Sequence, residues 1–538
     1  MIIAFMGIDG SGKTTLARRF RERLRVLGLD VQYKAEFDYF LLGRFFQLFG
    51  KERVSKARML FLTKKGENQK PSYFKVWPYL VWLDLFLEWL WNKLFKRNSV
   101  VIMDRYAYDF LMSWEWLGYA NDYIRWLYYH FPRPDVAFIL DVSPTTAYLR
   151  KKESHIYPLH FYEVQKKRYL NLAKALGIRI INTEKAVDEC LSEVFAEFRI
   201  YFINKLPDED KVLLFYSYPK FKPSMLKELN LCFDWSNLNW EYIVDMAVKC
   251  NTENLLCKNL LRYENGLPSE VVKLLKFVLE KSNKRRELLV RTLKAISRKL
   301  GEKNIPFVII KTIAPFDYGP TDIDIVVRKE DFERTKETLS LIFKVSKSSR
   351  KHKAITYQQA RQVNMLPIDV HYEISWLGVK FMDGEEILNR KRNLILDGLI
   401  IPVPSVVDEI LILTLHSVFQ HHYTTLGEFF FIYSLLRQID YRDFAKTSKT
   451  GTQYIMFVIA YSALKGHLLY GEESLQVPCN VKLKPSDISS VIFFHPFSCI
   501  PKRSFMQLVD VLLTFYRRLR FKVCGELPYN KNWIKVEK

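Results

Sequence analysis

The chain opens on a short apolar run, Met1 to Met6 (MIIAFM). It is followed without a break by GIDGSGKTT and then by the helical periodicity of LARRFRERLRVLG. Strand, glycine turn and helix in that order form the context in which G-x-x-x-x-G-K-[ST] binds phosphate, and Gly7, Gly12, Lys13 and Thr14 fill the fixed positions. Glycines let the turn curl until several backbone N–H groups converge on one anion, and the helix N-terminus adds its positive end. In this reading residues Gly7, Ile8, Asp9, Gly10, Ser11, Gly12, Lys13, Thr14 and Thr15 cradle ATP. Lys13 neutralises the outer phosphates and the Thr14 hydroxyl holds Mg2+.

Strand and helix alternate again further along the chain. Ser99 to Met103 is strand-like and ends in Asp104-Arg105-Tyr106. Val136 to Val142 is a further buried strand, followed by a proline-bearing turn and a helix carrying Arg150. Ile178 to Ile181 precedes the helix Val187 to Phe202. Such alternation predicts an α/β domain with a doubly wound parallel sheet, in which an acid and an arginine at a strand's carboxyl end face the ligand crevice.

With these residues in hand, the first two hundred positions resemble the thymidylate kinase family of P-loop nucleoside monophosphate kinases. The carriers are GIDGSGKTT at 7–15, VVIMDRY at 100–106 and PDVAFILDVSPTTAYLR at 134–150, then a basic lid-like segment from Lys151 to Arg168 and Tyr169. The resemblance implies phosphoryl transfer from ATP to a nucleoside monophosphate, dTMP above all. Lys13 and Thr14 then serve the donor, Asp9 the acceptor's sugar, Asp104 and Arg105 both substrates, and Arg150 the lid. The chain departs from the family after its second strand, where KAEFDYFLLGRFF at 34–46 stands in place of a glutamate-proline-glycine-glycine run. It departs again after Tyr106, where AYDFLMSWEWLGY lacks the family's base-holding glutamine. The alternatives are a P-loop phosphotransferase acting on a sugar or lipid-linked acceptor at a membrane surface, and a nucleotide- or RNA-binding regulator without turnover.

At 538 residues the chain is too long for one domain. Leu206 to Lys211 (LPDEDK) and the prolines between Tyr216 and Pro223 read as a linker, so the expected division is a kinase-like domain at 1–205, a linker at 206–228, a second domain at 229–440 and a helical extension at 441–538. In the second domain a helical lead-in, with the basic run Lys281 to Arg298, reaches a strand FVIIKT and then TDIDIVV. Asp322 and Asp324, one residue apart in a strand, project from one face, and Asp369 in LPIDVHY offers a third carboxylate on another strand. Carboxylates set side by side repel unless a cation lies between them, and Mg2+ suits oxygen ligands. His371, His416, His421 and His422 read as packing or supporting histidines rather than ligands.

Residues about 230–440 resemble the uncharacterised nucleotidyltransferase family of the polymerase-β-like superfold. The resemblance rests on DWSNLNWEYIVDMAVKCN at 234–251, IPFVIIKTIAPFDYGPTDIDIVV at 305–327, IDVHYEISW at 368–376 and IPVPSVVDEILILTLHSVFQHH at 401–422. It implies an α+β domain with helical flanks whose small sheet carries Asp322, Asp324 and Asp369 as metal-binding, catalytic residues. Lys311-Thr312 stands where the superfold has glycine-serine or glycine-glycine.

Composition bounds the partners. Lys and Arg exceed Asp and Glu by 23 and the isoelectric point is near 9.4, a field that attracts nucleotides, RNA or an anionic membrane surface. Seven cysteines without a C-x-x-C pair, and no signal peptide, predict a reduced cytoplasmic protein. From Tyr79 to Phe95 the chain is apolar except for Asp84, Glu88, Asn92 and Lys93. The segment reads as a core helix, a homodimer contact, or a helix lying in a membrane interface, the last placing the protein peripheral to a membrane.

Overall fold

The computed structural model describes residues 1–27, 29–35, 41–42, 75–95, 99–150, 157–349, 354–358, 365–376, 379–417, 423–439, 470 and 497–499. Two compact units divide between Phe202 and Ile203. In the first, elements follow as β1 (Ile2–Gly7), α1 (Lys13–Val26), β2 (Val31–Lys34), α2 (Trp77–Phe95), β3 (Val100–Asp104), α3 (Ala107–Leu117), α4 (Asp122–Tyr129), β4 (Val136–Asp141), α5 (Pro144–Arg150), α6 (Leu159–Leu176), β5 (Arg179–Asn182) and α7 (Val187–Ile203). All strands pair in parallel in the order β2-β3-β1-β4-β5.

β1 and β3 are buried at every position, as continuous apolar runs must be when helices cover both faces of a parallel sheet. Phe5 packs against Phe20 of α1 and Phe138 of β4, at ring-centroid distances of 5.9 and 5.3 Å. The doubly wound expectation is met, and the carboxyl ends of β1 and β3 lie side by side where the register pairs Phe5 with Asp104.

The second unit begins with helices where the sequence suggests a linker. Residues 208–216 form α8 (Asp208–Tyr216), and α9 spans Pro223–Glu228. Val212 to Tyr216 are at most 2% exposed, so this segment is core. The charges of LPDEDK do not mark a solvated spacer: Asp208, Glu209 and Asp210 fill the first turn of α8, where the helix dipole favours anions.

After α10 (Trp240–Lys249), α11 (Glu253–Tyr263) and the long α12 (Ser269–Glu302) comes a mixed sheet, ordered β6-β7-β10-β9-β8. Its strands are β6 (Phe307–Ile310), β7 (Ile323–Val327), β8 (Lys344–Ser349), β9 (Ala354–Gln358) and β10 (Ile368–His371), with α13 (Phe332–Ser340) between β7 and β8. Beyond it lie β11 (Glu373–Trp376) paired with β12 (Val379–Asp383), α14 (Gly384–Asn389), β13 (Arg392–Leu396) paired with β14 (Leu399–Val403), and helices α15 (Val406–Leu415) and α16 (Leu426–Leu436).

One core joins Leu289, Leu293 and Ile296 of α12 to Ile309, Ile325 and Ile368 of the sheet, while Val308 and Val326 on the opposite face meet α15 and α16. The sheet is therefore covered on both sides, as an α+β domain with helical flanks requires. Of the expected helical extension at 441–538, only residue 470 and residues 497–499 are among those described, and the latter form a short strand (Phe497–Cys499) paired with Tyr423–Thr425. His421 and His422 lie outside the described residues. Among the described residues, no helix is long and apolar enough to cross a membrane.

Candidate active sites

The loop between β1 and α1 curls as the glycines suggest. Gly7, Gly10 and Gly12 take φ of 141°, 82° and 88°, and Gly10 lies so close to α5 that a Cβ there would meet the Ala147 carbonyl oxygen at 2.5 Å. Gly12 caps α1. Ser11 is fully buried, and its backbone N–H returns to the Ile8 carbonyl (3.1 Å). Thr14 and Thr15 stand exposed on the first turn of α1.

Lys13 is 6% exposed and donates to the carbonyls of Gly7 and Ile8, both at 2.8 Å. Burial draws its ammonium below the ordinary lysine range, and Arg105 adds to that. The carboxylates of Asp9, Asp109 and Asp104 oppose it.

Opposite the loop, Asp104 ends β3. The hydroxyls of Thr14 and Tyr33 both donate to its Oδ2, at 2.6 and 2.8 Å. The tyrosine is pushed up to about 12, by burial first and then by that carboxylate. Asp104 Oδ1 is buried and accepts no hydrogen bond. Next to it Arg105 adopts φ of 94°, a conformation costly for any residue with a Cβ, and its guanidinium pairs with Asp9. Arg150, at the end of α5, donates to the carbonyls of Gly10 (3.4 Å) and Thr183 (3.2 Å). The first part of the expected lid, 151–156, lies outside the described residues, and 159–168 belong to α6.

In the second unit the parallel pairing of β10 with β7 sets Asp369 beside Asp324. Ligand atoms of Asp324, Asp369 and His371 come within 4.8 Å of one another. His371 Nε2 lies 2.9 Å from Asp324 Oδ1, and Lys311 Nζ lies 3.2 Å from Asp324 Oδ2. Burial alone would raise Asp324, but Lys311 and His371 outweigh it and hold the carboxyl well below the usual range.

Asp322 precedes β7 rather than lying within it, and it stands outside that three-residue cluster. Burial first, and then the charge of Asp324, push its carboxyl up to about 6. Tyr318 and the pair His416–Glu428 (3.0 Å) act on the same acids: Tyr318 is raised by burial first and then by Glu428, Asp322 and Asp324, and His416 helps to lower Asp324.

Over 207 residues the chain is 30% identical to a probable thymidylate kinase of Sulfolobus acidocaldarius, spanning 36% of this chain and 94% of that protein. The chain belongs to the thymidylate kinase family. A probable thymidylate kinase of Methanocaldococcus jannaschii is 27% identical over 198 residues, 36% of this chain and 93% of that protein. A thymidylate kinase of Xylella fastidiosa is 30% identical over 162 residues, 30% of this chain and 70% of that protein. Residues 236–466 match the family described as uncharacterised nucleotidyltransferase. The thymidylate kinase relationship covers the first unit, and the nucleotidyltransferase match lies within the second.

Within the kinase-like unit of this thymidylate kinase relative, Thr14 of the loop bonds Asp104 and Asp9 of the loop pairs with Arg105, whereas Arg150 donates to the carbonyls of Gly10 in the loop and Thr183 after β5. Asp109 is not legible in the sequence. It is 2% exposed, accepts from the Tyr106 backbone N–H (2.9 Å) and the Tyr169 hydroxyl (2.7 Å), and is raised by burial against the pull of Arg105 and Lys13.

Trp114, which comes after the Asp-Arg-Tyr element in the stretch without a base-holding glutamine, is 4% exposed and donates to the buried Tyr128 hydroxyl (3.0 Å). It builds core. Most of 34–46, the other departure from the family, lies outside the described residues. In the second unit His371, a supporting residue by its sequence, lies inside the carboxylate cluster. Its D-x-H spacing on a strand is the signal that could have placed it there.

The donor sets fit divalent cations. Thr14 and the partnerless Asp104 Oδ1 offer hard oxygens at the phosphate loop. Asp324 and Asp369 do so in the second unit, although both Asp324 oxygens already face cationic or imidazole nitrogen.

Proposed function

We propose that the first unit transfers the terminal phosphoryl group of ATP to a nucleoside monophosphate, with dTMP as acceptor, and that the second is a metal-dependent nucleotidyltransferase. The observation that carries the kinase reading is the convergence of Lys13, Thr14, Asp104 and Arg105 on one crevice at the carboxyl ends of β1 and β3. Phosphoryl transfer asks for positioning and positive charge more than for covalent chemistry. Lys13, drawn partly out of water, stands where it can follow charge moving onto the bridging oxygen. Arg105, oriented by Asp9, can hold the acceptor's phosphate in line. Mg2+ held by Thr14 and Asp104 would supply charge neutralisation of the donor phosphates.

In the second unit Asp324 and Asp369, with Asp322 beside them, would hold a divalent ion that lowers the charge barrier between a triphosphate and its attacking hydroxyl. Lys311 adds a fixed cation at the strand end where the superfold places small residues.

The test is ADP release from Mg2+–ATP across nucleoside monophosphates that include dTMP and dUMP. Lys13→Ala and Asp322→Ala/Asp324→Ala run alongside. Turnover with dTMP, lost only in the Lys13 variant, is the expected result. Turnover with none of the monophosphates sinks the acceptor assignment and moves the search to sugars and lipid-linked groups. Turnover that survives Lys13→Ala sinks the kinase site itself.

A further inference from the structure

The three carboxylates of the second unit are not held alike. Asp324 is fixed from both sides, paired with Ile310 of β6 and with Asp369 of β10, and Asp369 shares that register. Asp322 precedes β7, so no ladder partner fixes it. Its place is set by the turn 311–322, which also carries Lys311 and Tyr318. That turn joins two antiparallel neighbours, β6 and β7, for which a tight turn of about two residues suffices. A connection so much longer keeps one conformation only if other elements hold it.

The helices ahead of the sheet do this. Glu253, the first residue of α11, is 2% exposed, and its Oε1 accepts from the Ser282 hydroxyl (3.0 Å) and from Arg285 (3.1 Å), both on α12. The same Arg285 nitrogen reaches the Gly319 carbonyl in the turn (3.4 Å). The fit is close, because a Cβ on Gly319 would stand 3.0 Å from Glu253 Oε1. One residue along α12, Arg286 donates to Asp317 Oδ1 (2.6 Å), while Lys258 of α11 pairs with Asp317 Oδ2. Asn251 donates to the Tyr318 hydroxyl (3.4 Å). Only Pro320 and Thr321 stand between the anchored carbonyl and Asp322, and the locked φ of proline transmits the anchor with little slack. Glu253 Oε2 is buried and accepts no hydrogen bond, and a buried ion pair adds little net stability against an apolar replacement of the same shape. What this pair adds is the direction of the turn.

We propose that Arg285, itself held by Glu253, is a positioning residue that sets Asp322 beside Asp324 and Asp369 to bind the divalent ion. The proposal rests on the metal-dependent reading of this unit. Arg285 acts only through the Gly319 carbonyl. Without it the turn swings and takes one oxygen ligand from the ion, while Asp324, Asp369 and His371 stay where the sheet puts them.

The probe is Mn2+ alone, titrated without nucleotide into the whole chain, with free Mn2+ read by electron paramagnetic resonance. The part of the binding that is lost in Asp324→Asn belongs to this site. Two variants disturb the anchor differently. Glu253→Gln/Arg285→Ala removes the pair without leaving either charge buried alone, and Gly319→Ala keeps every charge but pushes the turn off Glu253. Each should weaken the Asp324-dependent binding by about tenfold, the lower end of the loss when a group that orients a metal ligand is removed. In an Asp322→Asn background neither should weaken it further, because effects routed through one residue do not add. A merely structural loosening would instead weaken binding in both backgrounds. Wild-type affinity in Gly319→Ala and in a Glu253→Gln/Arg285→Ala chain that is folded by circular dichroism overturns the proposal. The same loss in the Asp322→Asn background also overturns it. A wild-type chain with no Asp324-dependent Mn2+ binding overturns the metal reading itself, and this proposal with it.

Discussion

Replacing Asp104 by asparagine probes the nucleotide-binding crevice at one atom. In the native site two hydroxyls, those of Thr14 and Tyr33, converge on Oδ2 while Oδ1 is buried with no hydrogen bond. Asparagine can keep its oxygen on the Oδ2 side only by turning its amide nitrogen into the Oδ1 position. There the two N–H donors are buried without a partner, at about 1–3 kcal/mol. The two O–H bonds also lose their charge assistance, which roughly halves each of them. The opposite rotamer is worse, because two hydroxyls then face two donors. The nucleotide-free protein should therefore be destabilised by roughly 2–4 kcal/mol.

The same change should remove the Mg2+ dependence of ATP binding, because the orphaned Oδ1 is the oxygen that a cation would take. Calorimetric titration of ATP with Mg2+ and with EDTA reads the second effect, and a urea melt followed by hydrogen exchange at β1 and β3 reads the first. If Asp104→Asn binds ATP with the wild-type dependence on Mg2+, the cation does not use this carboxylate. If its stability changes by less than about 0.5 kcal/mol, within the scatter of a surface substitution, water satisfies the buried oxygen.

Two further outcomes rest on particular atoms. Gly10→Ala should lower the melting temperature of the kinase-like unit by clearly more than Gly12→Ala. Both residues hold a positive φ, but only at Gly10 does the new methyl meet backbone, the Ala147 carbonyl, while Gly12 has nothing within 4 Å; equal losses in thermal melts would assign the whole effect to backbone strain. Glu409 is 1% exposed and is pushed up to about 8 by burial, with Arg392 opposing. Between the unfolded value near 4.5 and about 8 the folded chain then binds the extra proton, so stability falls as pH rises through that window. Glu409→Gln should flatten the fall in denaturation midpoint between pH 5 and 8.5, and an unchanged slope would show that Arg392 keeps the carboxylate ionised.

The parts of the molecule that are local in sequence are legible there. The phosphate loop needs only consecutive residues, and the parallel sheet declares itself through buried strands alternating with helices. Features created by pairing distant segments are not legible. Asp369 meets Asp324 because β10 runs parallel to β7 in one register, and a shift of one residue would have sent the carboxylate to the other face. His371 enters the cluster through the same register.

The helix at 208–216 is hidden for another reason. A proline followed by Asp208, Glu209 and Asp210 is as good a helix start as it is a solvated spacer, and only the burial of Val212 to Tyr216 decides between them. In α2 the four-residue repeat of polar positions is visible, but period does not reveal direction. That the stripe faces inward depends on Lys34, Leu41 and Leu42, more than forty positions upstream.

Backbone strain draws the two sites together as instances of one solution. Among the described residues, those other than glycine with positive φ are Arg105, Asn230, Asn251, Asn304, Lys311 and Asp397. Asparagine and aspartate tolerate that region because their short side chains bond locally. Arginine and lysine have no such compensation, and strain of this kind persists where the surroundings over-determine it, most often at functional positions. Arg105 comes directly after β3, and Lys311 directly after β6. Each is turned so that its cation lies against a carboxylate of its own site, Asp9 in one and Asp324 in the other. Under the proposed function, a cation held in that way would already be ordered before a phosphate arrived, so binding would not have to immobilise a long flexible side chain at about 2 kcal/mol of rotamer entropy. The carboxylate partner is what keeps the cation in place in the meantime. The strained turn at the end of a strand is thus the local structure that converts a basic sequence into a directed positive charge, and it occurs in both the kinase-like and the nucleotidyltransferase-like unit.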